Sequence, residues 1–341
     1  MLIDASINSA STMSDSSARS ESSRANPRDE VELVDTHAHL NFDAFEKDAD
    51  EVIRRCLDGS TGASTELSRM SSPQVWMINV GSHYESSQKA IEIAQKYPEG
   101  VYAAIGLHPI NLDTGLMRMK KDEIEGCRFE REFDYEKYKK LALSGVEGSK
   151  KVIAIGEIGL DYYWRPKTTA KKELFKQKQK DLLLKQLELA KELNLPIIFH
   201  CRVAHDDLIE ILREQQATSD KKIRGVTHGF VGSLEQLKEY LKMGFYIGYN
   251  GIIFKKIEGI NFEENIKNTP LERILVETDC PYLVPPVSVS QRVCQRESAS
   301  IVRNEPLNVK YVAQEIAKIK NLSYKEITEI TTQNAKKLFG I

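Results

Sequence analysis

The chain has 341 residues, a formal net charge of -2 and a charged fraction of 29%, which is the composition of an ordinary globular protein. It lacks the basic excess of proteins that coat DNA, but this does not exclude an enzyme that contacts nucleic acid through a metal-lined cleft. No apolar stretch approaches the ~18 residues of a membrane span, so we expect no membrane association.

The beginning of the chain differs in composition from the rest. The first thirty residues contain nine serines and lack the apolar segment of a secretory signal. We therefore predict a disordered tail over residues 1–28 and a single domain over residues 29–341. The five cysteines are odd in number and form no CxxC pair, which favours a reduced, intracellular compartment, cytoplasmic or nuclear.

After the tail, short β-branched and apolar runs alternate with longer amphipathic stretches, of which 85–97, 171–193 and 233–243 are the clearest helices. The candidate strands are residues 31–36, 75–81, 101–107, 152–156, 196–200, 223–228, 244–249 and 273–278. Strands that alternate with helices predict a parallel sheet, and the length suits an α/β fold of the (β/α)8 TIM-barrel type. An open doubly wound sheet is the alternative, disfavoured because no glycine-rich phosphate fingerprint follows the first strand.

Histidines and carboxylates follow these strands. The residues are His37, His39, His108, Glu157, His200, His228 and Asp279. The carboxyl ends of the strands of a parallel barrel share one rim, where active sites lie. Any one of these side chains could be a hydrogen-bonded core residue. Four histidines and two carboxylates together, leaving His108 aside, would be costly to bury without a counter-charge, which a metal supplies.

Six such ligands are too many for one tetrahedral zinc and suit two divalent ions with a bridging carboxylate. Histidine-rich ligation favours zinc, manganese, iron or cobalt over magnesium, which prefers oxygen ligands. The sequence therefore predicts a metal site at the carboxyl-terminal rim of the barrel, with two ions whose identity (Mg, Mn or Zn) is left open.

From residue 31 to the C-terminus the chain resembles the TatD family of metal-dependent deoxyribonucleases, within the amidohydrolase-like barrels. The motifs that carry the resemblance are DTHAHL at 35–40, IGLHP at 105–109, IGEIGLDYY at 155–163, FHCR at 199–202, THGF at 227–230, ETDCPYL at 277–283 and RNEP at 303–306. The resemblance implies one ion on His37, His39, Glu157 and Asp279. It implies a second ion on Glu157, His200 and His228, with Glu157 bridging.

The resemblance further implies a 3'-5' exodeoxyribonuclease that acts on single-stranded DNA or 3' ends through a two-metal-activated water, with no obligate protein partner. Glu157 and Asp279 would be catalytic, Asp279 as a ligand and proton acceptor. A small-molecule amide or phosphoester hydrolase with the same rim is the alternative, and a non-catalytic binding protein is a third hypothesis that the intact ligand set opposes.

Three residues near the rim are candidate substrate contacts. His108 could contact a phosphate, or it could be a structural histidine packed before Pro109. Tyr163 could stack on an unpaired base, although aromatic residues also dominate protein cores. Arg303 could contact substrate, but an ion pair with Glu305 that orders the loop is the favoured interpretation.

Overall fold

The computed structural model describes residues 33–59, 74–116, 128–144, 150–218, 221–286 and 303–341. The predicted tail over residues 1–28 lies outside this range. Eight strands form one sheet, and each predicted strand is present. The strands are β1 (Leu33–Ala38), β2 (Val75–Val80), β3 (Val101–Ile105), β4 (Val152–Asp161), β5 (Ile197–Arg202), β6 (Gly225–Thr227), β7 (Tyr246–Tyr249) and β8 (Ile274–Val276).

Helices separate most of these strands, as the periodicity predicted. They are α1 (Ala49–Asp58), α2 (Tyr84–Gln95), α3 (Tyr135–Ala142), α4 (Thr169–Leu193), α5 (His205–Thr218), α6 (Leu234–Lys242), α7 (Phe262–Asn268), α8 (Val309–Lys320) and α9 (Tyr324–Phe339). Ser233 begins α6 as its N-cap, and its side chain accepts a hydrogen bond from the Gln236 backbone. None of the helices in the described ranges is apolar over enough length to span a membrane.

The strands run parallel in the order β1 to β8, and the two end strands meet. The Asp279 backbone N–H donates to the His37 carbonyl over 2.8 Å, and the His39 N–H donates to the Cys280 carbonyl over 2.9 Å. These bonds join the residues that follow β8 to the end of β1. The sheet is thus a nearly closed (β/α)8 TIM barrel, as predicted.

Two groups of buried apolar side chains divide the sheet into an inner and an outer face. The buried members of one group come from all eight strands but from only one of the described helices, the last, through residues such as Leu338 and Phe339. Residues from every strand can meet without the other helices only in the barrel interior, so this group fills the barrel. The larger group combines strand residues with residues of the surrounding helices and forms the layer between sheet and helices.

The alternation of side chains along a strand carries the inner face from apolar to polar residues. Ile198 of β5 and Val226 of β6 belong to the apolar group that fills the barrel. His200 and His228 lie two residues further along and therefore point to the same side. The barrel interior is therefore filled with apolar side chains in its middle, and imidazoles lie at its carboxyl-terminal rim.

Three rim residues depart from this alternation. His37 and His39 lie an odd number of residues from the inward-facing Val34, and Glu157 lies an odd number from the inward-facing Ala154. The pairing of β1 shifts register between residues 35 and 38, and that of β4 shifts between residues 155 and 158. An irregularity of this kind reverses the side to which the following residue points, so each shift turns a polar side chain into the barrel.

Candidate metal centre

Glu157 lies at the centre of the rim, and its two carboxylate oxygens face different groups of side chains. Oε2 lies 3.5 Å from Nε2 of His37. Oε1 lies 2.6 Å from Nδ1 of His200 and 3.7 Å from Nε2 of His228. The side chain is almost completely buried, so the carboxylate joins two clusters inside the protein.

The first cluster has four members whose nitrogen and oxygen atoms converge. The Nε2 atoms of His37 and His39 are 3.0 Å apart. Oδ1 of Asp279 lies 3.9 Å from the first of these nitrogens and 3.5 Å from the second. Oε2 of Glu157 is 3.9 Å from Nε2 of His39. All four predicted ligands of the first ion therefore lie together.

The second cluster surrounds the other oxygen of Glu157. His200 and His228 contact it as described, and Nε2 of His108 lies 3.5 Å away. His228 also stacks on His37, with ring centroids 3.6 Å apart, and so lies between the two clusters. The triads whose possible ligand atoms lie within 4.8 Å of one another are His37–His39–Glu157, His37–His228–Glu277 and His108–Glu157–His200.

The donor set fits divalent cations. Nitrogen and oxygen ligands about 2.1 Å from one ion would lie about 3.0–3.5 Å apart along the edges of an octahedron or tetrahedron. The separations in the first cluster, from 3.0 to 3.9 Å, lie close to that range. Nδ1 of His39 donates to the Val80 carbonyl over 2.9 Å, which leaves its Nε2 without a proton and facing the cluster, as a metal ligand requires.

The protonation of the histidines reflects the surrounding carboxylates. Burial lowers the pKa of His37 to about 4, and the nearby His228 acts in the same direction. Burial also opposes protonation of His200 and His228, but adjacent carboxylates outweigh it, so that the pKa of His200 rises to about 9 and that of His228 to about 10. A cation bound to one nitrogen of either ring would displace the second proton of that imidazole and leave the other nitrogen protonated.

Two buried carboxylates beside the histidines are absent from the sequence prediction. Oδ2 of Asp161 lies 3.1 Å from Nε2 of His200. Oε1 of Glu277 lies 2.9 Å from Nδ1 of His228. Asp161 is four residues after Glu157, and Glu277 is two residues before Asp279. The alternation of side chains that puts His37 and His39 on one side of β1 therefore also predicts that Asp161 shares the side of Glu157 and that Glu277 shares the side of Asp279.

A family model described as TatD related DNase matches residues 34–340. The chain belongs to this family. It is 36% identical over 310 residues to an uncharacterized metal-dependent hydrolase, YabD, of Bacillus subtilis, covering 91% of this chain and 99% of that protein. It is 30% identical to the human deoxyribonuclease TATDN3 over 91% of this chain and 95% of that protein. A 3'-5' ssDNA/RNA exonuclease TatD of Citrobacter rodentium is 29% identical, with coverage of 91% and 98%.

In this TatD-family chain, His108 lies at the rim with a defined hydrogen-bonding pattern. Its Nδ1 accepts a hydrogen bond from the Ile110 backbone over 3.0 Å. The ring is buried, which lowers its pKa, and the neighbouring His200 acts in the same direction. A neutral imidazole whose Nδ1 accepts carries its proton on Nε2, the atom that lies 3.5 Å from Glu157.

The side chains of the other two candidate substrate contacts pair with residues outside the two clusters. Tyr163 is 52% exposed, and the Arg202 guanidinium lies 3.6 Å from its ring centroid. Arg303 donates to the Asp48 carboxylate and lies 3.5 Å from Glu305. The ion pair between Arg303 and Glu305 is thus present, and substrate contact by either candidate stays a prediction.

Proposed function

We propose that this TatD-family protein is a metal-dependent nuclease that hydrolyses DNA phosphodiester bonds from the 3' end, with two divalent ions at the rim. The observation that carries the proposal is the division of Glu157 between the cluster of His37, His39 and Asp279 and the cluster of His200 and His228. A carboxylate shared in this way is the arrangement that a two-metal site requires.

The names of the relatives support the choice of substrate and direction. The human relative is named a deoxyribonuclease, and the Citrobacter relative a 3'-5' ssDNA/RNA exonuclease. Both align with 91% of this chain. The proposal therefore specifies a single strand with a free 3' end, and RNA is a substrate to be tested beside DNA.

The residues of the chain have distinct parts in the proposed reaction. His37, His39, Glu157 and Asp279 would hold one ion, and Glu157, His200 and His228 the other. When bound, divalent ions lower the pKa of a coordinated water and neutralise charge that develops on a phosphate.

Asp279 is the most accessible carboxylate of the first cluster, because its side chain is 18% exposed and that of Glu157 is 7% exposed. It is therefore the group that an incoming water molecule reaches, and we assign it as the proton acceptor.

His108 has a different role in the proposed reaction. Its Nδ1 accepts from the Ile110 backbone, so its proton lies on Nε2, which faces Oε1 of Glu157 at 3.5 Å. With the Glu157 carboxylate engaged by the ions, this Nε2–H would donate to a phosphate oxygen at the rim.

The experiment that tests the proposal is digestion of a short single-stranded DNA labelled at either end, in Mg²⁺, Mn²⁺ or EDTA. A 3'-5' exonuclease converts a 5'-labelled strand into a ladder and releases labelled mononucleotide at once from a 3'-labelled strand. An RNA strand of the same sequence is tested in parallel. EDTA stops the reaction because the ions are removed.

Glu157→Ala is the matched control, since it removes the carboxylate that both clusters share. We expect it to reduce the rate to background. DNA that persists with every metal would refute the nuclease assignment. Degradation that survives Glu157→Ala would refute the assignment of the site, and release of labelled mononucleotide first from a 5'-labelled strand would refute the direction.

A further inference from the structure

A cavity of about 470 Å³ lies beside the rim. Asp161 lines it, and the same carboxylate contacts Nε2 of His200 over 3.1 Å. Ile110 also lines it, and its backbone N–H donates to His108. The cavity therefore adjoins the second cluster, on the side of His108 and His200.

Half of the residues that line this cavity are large and apolar, and three of these are aromatic. Trp164, Phe129 and Phe175 line it together with Leu112. Phe129 is 40% exposed, so part of its ring is available to a bound molecule. The volume lies in the range of pockets that hold small molecules, about 300–1,000 Å³. The cavity thus offers flat apolar faces to a planar group.

The charge of the lining excludes a phosphate. Asp113 and Asp161 are acidic, and the described residues that line the cavity include no lysine or arginine. An anionic group would meet these carboxylates with no lysine or arginine among the described lining residues to offset the repulsion. Gln179 fixes this wall, because its amide accepts from the Asp161 N–H over 2.8 Å and donates to the Asp161 carbonyl over 3.0 Å. The fitting ligand is neutral and planar.

We propose that this cavity binds the nucleobase of the nucleotide whose phosphate lies at the metal centre, with Trp164 and Phe129 as stacking surfaces. The inference rests on the proposed function, since it names the part of the substrate next to the scissile phosphate. Stacking on an aromatic ring tolerates every base, because each base has a π face. The pocket therefore gives preference for nucleotides over simple phosphodiesters without sequence specificity.

The first test compares two chromogenic diesters in Mn²⁺. Thymidine 5'-(4-nitrophenyl phosphate) carries a base, and methyl 4-nitrophenyl phosphate does not. The wild type should prefer the thymidine diester in kcat/KM. Trp164→Ala should lower that preference by about tenfold, the size expected for one lost base–aromatic stack. Trp164→Phe should retain most of it, because the aromatic face remains.

Leu174→Ala is the control for altered packing on the same side of the barrel. Leu174 is 49% exposed on α4, next to Phe175, and does not line the cavity. Its substitution should leave the preference for the thymidine diester at the wild-type value. A preference that is unchanged in Trp164→Ala would overturn the base pocket.

The second test measures binding without catalysis. The chain has two tryptophans, of which Trp76 is 9% exposed in β2. Thymidine 5'-monophosphate should quench the fluorescence of Trp164 in the wild type, with saturation, and should cause little quenching in Trp164→Phe. Equal quenching in both proteins, or none in the wild type, would overturn the inference.

The two proposals fail in different ways. If the nuclease assignment is wrong, the wild type leaves end-labelled DNA intact, whether or not it hydrolyses the two diesters. If only the base pocket is wrong, hydrolysis proceeds, the preference is the same in Trp164→Ala as in the wild type, and nucleotide does not quench Trp164.

Discussion

The carboxylate of Glu277 lies 2.9 Å from Nδ1 of His228, and the Glu277 side chain is completely buried. A carboxylate that contacts one ring nitrogen fixes the orientation of the imidazole and leaves the other nitrogen to face the site. Nε2 of His228 does face Glu157, at 3.7 Å. Glu277 is thus a positioning residue for His228 in the proposed metal centre.

Glu277→Gln should weaken the binding of Mn²⁺ by about 10- to 100-fold, because the amide keeps the shape of the side chain but removes its charge. Isothermal titration calorimetry of the purified apoprotein measures this affinity. Glu329→Gln is a matched control, since Glu329 is 57% exposed on α9. An affinity in Glu277→Gln equal to that of the control would show that the contact with His228 does not support metal binding.

His108→Gln should separate substrate contact from metal ligation. His108 belongs to a triad with the spacing of metal ligands, but it is absent from the proposed ligand set. We expect the variant to keep two Mn²⁺ ions per chain and to lose about 10²–10³ in kcat on DNA, as expected for a lost donor to developing charge. Loss of an ion in this variant would instead make His108 a ligand.

Arg303 and Asp48 link the segments that follow β8 and β1. The Arg303 Nη1 donates to Asp48 Oδ1 over 2.8 Å, and both side chains are partly exposed. Arg303→Gln and Asp48→Asn should each lower stability, and a double-mutant cycle should give a coupling of about 1 kcal/mol or less after solvent screening. Urea unfolding measures the stabilities.

The same variants decide whether Arg303 contacts substrate. If its role is the ion pair, KM for DNA should be similar in Arg303→Gln and Asp48→Asn. An increase in KM that is confined to Arg303→Gln would identify Arg303 as a substrate contact.

His205 gives a prediction of pH dependence away from the proposed ligands. Its ring lies 3.0 Å from the Tyr240 hydroxyl and 3.0 Å from the Val231 carbonyl, and burial lowers its pKa to about 4 from the ordinary 6.5. The unfolded chain therefore binds a proton below pH 6.5 that the folded protein does not bind until about pH 4. Stability that His205 contributes at neutral pH is lost as the pH falls through this window.

The loss should approach about 1.4 kcal/mol per pH unit for this one group. Urea unfolding of the wild type and of His205→Gln, measured at several values between pH 7 and pH 4, isolates the effect from other groups. The difference in stability between the two proteins should shrink as the pH falls. A constant difference would show that folding does not lower the pKa of His205.

The rim could be predicted from the sequence because its residues end apolar runs, and the carboxyl ends of parallel strands must share one edge. The alternation of side chains along β5 and β6 correctly predicts that His200 and His228 point into the barrel. The inward orientation of Glu157 depends on a register shift in β4 that no local pattern reveals. The predicted end of β4 at residue 156 is also too early. The strand continues to Asp161, because its pairing with β5 resumes after the register shift.

The roles of the two positioning carboxylates are harder to predict. Alternation along the strand places Asp161 on the side of Glu157 and Glu277 on the side of Asp279, but a carboxylate that contacts a histidine and one that binds a metal have the same sequence pattern. The cavity beside the rim could not be predicted at all. Three aromatic residues from different segments line it: Phe129 precedes α3, Trp164 follows β4 and Phe175 belongs to α4. Only the tertiary structure brings these segments together.

The central claim is that Glu157 serves two ions, and the stoichiometry of Mn²⁺ tests it most directly. Equilibrium dialysis of the apoprotein against Mn²⁺ should give two ions per chain for the wild type. Glu157→Gln, which removes one charge that both clusters share, should retain one ion or none under the same conditions. A single ion in the wild type, or two tightly bound ions in Glu157→Gln, would contradict the account.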